Sequence, residues 1–142
     1  MSYVVPKTRL DRLVQLRERT EDVALENLAH AQSSLGRAAA RLAGFRQDAR
    51  RDGRSRGAAE MWALEEGAHV RALQAIRTAE RELAQAVRSE QQARVGYTTA
   101  YRSAEAIRRA QEKKRSEILG DTERREQRAL DELATLRFNS QQ

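Results

Sequence analysis

Arg50-Arg51-Asp52-Gly53-Arg54-Ser55-Arg56-Gly57 is the stretch whose reading decides the fold. Two glycines, an Asp-Gly step and a serine fall within eight residues, and no apolar side chain interrupts them. Glycine accepts positive φ and Asp-Gly favours a turn, so the segment reads as a polar reversal of the chain. On either side the pattern is helical. The chain should therefore be all-α: a two-helix antiparallel coiled-coil hairpin whose carboxy-terminal helix is the longer. As one domain over residues 1–142, it divides into helix one at about 8–50, a loop at 51–57 and helix two at about 58–137.

Working back from the loop, Ala24, Leu28, Ala31, Leu35, Ala38, Leu42, Phe45 and Ala49 alternate spacings of three and four, which is a heptad seam. Leu13, Leu16, Thr20 and Ala24 prolong it, with consecutive steps of four from Leu16 to Leu28, a stutter. Thr8 and Asp11 resemble a capping box with Asp in place of Glu. The one proline, at position 6, precedes all of this. At ~1.5 Å per residue helix one should be about 64 Å long.

Working forward, helix two carries a stripe of Met61, Leu64, Ala68, Leu73, Ile76, Leu83 and Val87, and Asn139 offers a stop. It would extend for roughly 120 Å, with bends expected at Gly67, Gly96 and Gly120 and Gly67 the candidate for a real break. A fold about residue 54 sets Leu35 against Leu73, Leu25 against Leu83, Leu13 against Val95 and Leu10 near Tyr97. Phe45 and Trp62 would then flank the tip, clasping each other or docking a partner. Residues beyond about 100 would face nothing from their own chain. They still carry Tyr101, Ala104, Ile107, Ile118, Leu119, Leu130, Leu133 and Leu136. A lone helix gains little from propensity alone, so this stripe calls for a foreign partner, a second copy or fraying.

Composition supports the rod and narrows the chemistry. Hydrophobic residues make up 39% but aromatics only 4%, as in long alanine-rich helices rather than compact globules. The 27 basic and 21 acidic residues leave a net charge of +6 on an interspersed surface. That is a solvated, salt-bridged face, or an attraction to acidic protein, membrane or nucleic acid. There is no cysteine, hence neither disulfide nor thiolate metal site. His30 and His69 lack a second ligand one turn away. No phosphate loop or nucleophile–base pairing is visible, so no enzyme, cofactor or metal is expected. The basic loop residues Arg46, Arg50, Arg51, Arg54 and Arg56 lack the interleaved aromatics that stack bases, so nucleic acid is not an expected partner. The start lacks a signal-peptide core and no run is long enough to span a bilayer, which fits a soluble intracellular protein.

Two segments resemble the FliJ/YscO family of type III export proteins. Met61-Trp62 followed by Val70, Leu73 and Ile76 is similar to that family's second-helix opening. Glu126-Gln127-Arg128-Ala129-Leu130-Asp131-Glu132-Leu133-Ala134 is similar to its closing pattern. The resemblance implies a cytoplasmic hairpin, peripheral to the inner membrane at the export apparatus, akin to the central stalk of rotary ATPases. Its implied partners are the hexameric export ATPase, the transmembrane export-gate protein and export chaperones. Carried over by position, the ATPase-ring contact would be Leu10, Leu13, Leu130, Asp131, Glu132 and Leu133. The export-gate contact would be Leu42, Phe45, His69, Leu73 and Ile76, although Ala49 stands where the family tends to have an aromatic. The expected state is a monomeric rod; the rival reading is a homodimeric coiled-coil adaptor with no ATPase connection.

Overall fold

The computed structural model describes residues 4–51 and 59–142, with side chains described at 4–50 and 61–142. Two helices hold nearly all of them: α1, Asp11–Arg51, and α2, Ala59–Ser140. The fold is all-α, with the two helices packed antiparallel and α2 twice as long. Apart from Arg51, which closes α1, the expected loop lies outside the described residues. α1 starts where the capping reading placed it, with one adjustment. The Asp11 carboxylate accepts the Thr8 backbone N–H at 3.1 Å and its hydroxyl at 2.7 Å, while residues 9–10 form a turn before the first α-helical residue. α2 runs unbroken through Gly67, Gly96 and Gly120, and no described residue has positive φ. A mid-helix glycine lowers stability without forcing a break when the flanking turns are held. The helix continues past Asn139 by one residue.

The chain gathers into two compact units, one spanning Asp22–Thr99 and the other Met1–Glu21 with Ala100–Gln142. In the first, α1 buries Leu28, Ala38 and Leu42 on the expected heptad seam. On α2 a row of covered positions runs Ala72, Ile76, Ala79, Leu83, Ala86, Glu90, Ala93 and Tyr97, again three and four apart. Only Ile76 and Leu83 of the stripe expected from sequence belong to it. Met61, Leu64 and Leu73 are exposed, as is Val87. The seam of α2 is built largely from alanines seven residues apart, with bulkier side chains left beside it. Alanine allows two helices to approach closely, so in this seam size yields to fit.

Cross-helix ion pairs fix the register. Arg41 reaches Glu82 at 2.8 Å and Arg46 reaches Glu80 at 3.3 Å. The expected register would have set Arg46 opposite Trp62, so the true pairing is displaced by roughly eighteen residues along α2. Leu35 therefore does not meet Leu73, nor Leu25 meet Leu83. Phe45 and Trp62 do not clasp either: Phe45 neighbours the Arg46–Glu80 pair, about 27 Å along the helix axis from Trp62. Trp62 is 56% exposed.

The second unit shows the same displacement. Gln111 donates to Asp11 at 2.7 Å and Arg108 donates to Glu21 at 2.7 Å. Leu10 and Leu13 thus lie near the level of residue 111, not of Val95 or Tyr97. Nor does the stripe of Leu16 and Thr20 exist: Leu16 is 57% exposed. Val14 is buried in its place, and Glu18 and Glu21, four and seven residues on, are the next covered positions. A glutamate in an apolar seam is unreadable until its partner, Arg108, is located. Ala104 is 1% exposed, and coverage continues to Gly120. The unpartnered part of α2 accordingly begins at residue 121 instead of near 100.

Candidate functional site

Two features of the Met1–Glu21 and Ala100–Gln142 unit carry chemistry. The first is a polar clasp. Arg108 bonds Glu18 at 3.2 Å and Glu21 at 2.7 Å on α1, and Glu105 at 3.1 Å on its own helix. Hydrogen bonds to Glu18 and Glu21 push its pKa further above the ordinary arginine value, so it is a permanent cation. One turn along, Asp11 accepts from Thr8, Gln111 and Arg115, and these bonds, Thr8's first, hold its carboxyl at about 2. Hydrogen bonds to the charged form are what lower a carboxyl pKa. Together these bonds fasten the start of α1 against residues 108–115 of α2.

The second feature is the arm that follows. Every residue from 121 to 142 is exposed. Leu130, Leu133 and Phe138 are each more than 60% exposed and share one helix face with Ala134, Arg137 and Gln141, lining a shallow concavity. The spacings three, four and eight from Leu130 put these side chains on successive turns of one stripe. Leu136, equally exposed, lies off that stripe. Phe138 escapes a reading that stops the helix at 137, although its eight-residue spacing from Leu130 is visible in the sequence. Asp131 and Glu132 flank the stripe and are exposed.

Leu10 and Leu13 are half-buried at the start of α1, level with Gln111. Leu130 lies fifteen residues beyond Arg115, which also bonds Asp11, or about 22 Å along the axis. The two leucine pairs are therefore not one patch. In the Asp22–Thr99 unit, Leu42 is only 4% exposed and belongs to the seam. His69 and Ile76 are half-buried, whereas Phe45 and Leu73 are about 40% exposed. No group of acidic, histidine or cysteine side chains among the described residues could hold a metal ion. Among the same residues no helix is long and apolar enough to cross a membrane.

A family model, that of the flagellar FliJ protein, matches residues 6–142. The chain belongs to the FliJ family. Membership implies a component of the flagellar export apparatus, in agreement with the resemblance seen at residues 61–76 and 126–134. No curated protein and no solved structure matches the chain significantly.

Proposed function

We propose that this FliJ-family protein is a non-enzymatic, cytoplasmic stalk of the export apparatus whose arm enters the bore of the hexameric export ATPase. The observation that supports this reading is the arm itself. A helical stretch of twenty residues, 121–140, exposed on all sides and bearing a leucine–phenylalanine stripe, gains its stability from burial against another molecule. A single helix is slender enough to enter a ring. There, unequal contacts with identical subunits bias which one binds or hydrolyses ATP, and the stalk itself supplies no catalytic group. Leu130 and Leu133 would make the apolar contact, with Asp131 and Glu132 beside them. Leu10 and Leu13 would touch the ring at a different depth.

On the same reading the export-gate protein is met by Phe45, His69, Leu73 and Ile76, with Leu42 supporting them from the seam. Export chaperones are further partners. Leu133→Asp sets a charge in the ring contact and should reduce stimulation of the export ATPase at least tenfold while leaving helicity unchanged. Undiminished stimulation by a folded L133D protein would sink the assignment. Sedimentation separates the rival reading: a monomer agrees with the stalk, and a tight homodimer that closes over the stripe favours an adaptor.

A further inference from the structure

We infer that the outward face of α1 between Arg9 and Arg19 is a docking surface for an acidic amphipathic helix of another protein. Residues 1–21 hold five basic and three acidic side chains, and the structure sorts them by direction. Asp11 reaches Arg115, while Glu18 and Glu21 reach Arg108, so all three acids are engaged in the clasp. At about 100° per residue they lie within about 60° of buried Val14, whereas Arg12, Leu16 and Arg19 lie about 140° or more from it. Arg9 stands one turn before Arg12. These arginines and Arg17 are exposed, and none forms an ion pair among the described residues. Leu16, 57% exposed, stands in their midst. Arg9, Arg12, Leu13, Gln15, Leu16 and Arg19 line one shallow concavity.

These cations do little for the chain itself. Arg9 and Arg12 stand at the amino-terminal end of α1, where the helix dipole favours anions and disfavours cations. A local rule broken without a compensating contact inside the molecule points to a partner outside it. The partner's chemistry follows from the pattern. One apolar row, Leu16 with the edge of Leu13, is bordered by cations at steps of three and four. Its complement is a helix whose own apolar row is bordered by carboxylates. Arginine forks hold a carboxylate through two parallel hydrogen bonds, which lysine cannot do. An anionic bilayer fits less well, because residues 4–21 contain none of the aromatic anchors that membrane-surface helices use. The same lack of aromatics leaves nothing to stack on nucleic-acid bases. This face lies on α1, apart from the leucine stripe of the arm on α2, so the inference does not rest on the ring contact.

The probe is a synthetic amphipathic helix with one leucine row bordered by glutamates, titrated against the full-length protein by fluorescence anisotropy. Arg12→Glu together with Arg19→Glu should weaken its binding about tenfold or more. Leu16→Asp should weaken it to a similar extent. Arg124→Glu with Arg128→Glu, an equal change of charge on the arm, should leave binding as it was. A peptide carrying lysines in place of its glutamates should bind the Arg12→Glu, Arg19→Glu protein and not the native one. Glutamate at position 12 suits the positive end of the helix, so that variant keeps its fold. Equal binding of a scrambled peptide of the same composition would overturn the inference, as would equal weakening by the arm variant. So would tighter binding of phosphatidylglycerol vesicles or duplex DNA with the same dependence on Arg12 and Arg19. Leu133→Asp should not alter peptide binding, which keeps this test separate from that of the ring contact.

Discussion

Residues 100–120 and 121–140 are consecutive lengths of the same helix, carrying eight and six apolar side chains, and their fates differ completely. In the first, Ala104 is buried and arginines are tied into a clasp; in the second, leucines and a phenylalanine stand in solvent. Composition does not separate them. What does is the position of the first residue of α1: Asp11 bonds Gln111 and Arg115, so no opposing helix exists for residues much beyond 119. A stretch of helix is core or interface according to what lies across from it.

Amide hydrogen exchange offers the widest contrast. Residues 100–119 should be protected several orders of magnitude more strongly than 121–142 in the free protein. The arm should become protected when the export ATPase hexamer is added. Equal protection of both lengths without a partner would erase the distinction. Next in size is a pair of identical substitutions. Ala104→Leu overfills a closed seam and should destabilise by about 1–3 kcal/mol in chemical denaturation. Ala134→Leu, on the arm, should stay within about 0.5 kcal/mol.

Removing the clasp tests its share. Arg108→Ala leaves Glu21, largely buried, without its cross-helix cation and should lower the melting temperature by a few degrees. Arg124→Ala breaks only the exposed pair with Asp121 and should leave the melting temperature where it was. The smallest effect concerns acid. The carboxyl of Asp11 is held at about 2 against an ordinary 3.8, so the unfolded chain takes up its proton first as pH falls. Its contribution is complete above about pH 4 and is lost as pH drops towards 2. Asp11→Asn should flatten that part of the stability profile measured by thermal denaturation.

The legible part of the site was the arm's Leu130 and Leu133, because spacing along one helix is local. The extent of the free segment was not legible. It depended on register, and the sequence offered leucines at several offsets that all paired plausibly. The clasp was hidden for a related reason: Glu21 and Arg108 are eighty-seven residues apart, and each looks like a surface charge by itself. Alanines on α2 were passed over for their larger neighbours, although close approach of two helices favours the smaller side chain.

By itself the sequence determined that this protein is helical, that α1 carries a heptad seam from Ala24 to Ala49, and that its family is FliJ. Those follow from three-and-four spacing, the lack of helix breakers and motif likeness, all properties of neighbouring residues. Only the tertiary structure decided which turn of α2 lies against which turn of α1, and with it where the exposed arm begins. That pairing joins residues far apart in the chain, such as Glu21 and Arg108, and no pattern among neighbouring residues announces it.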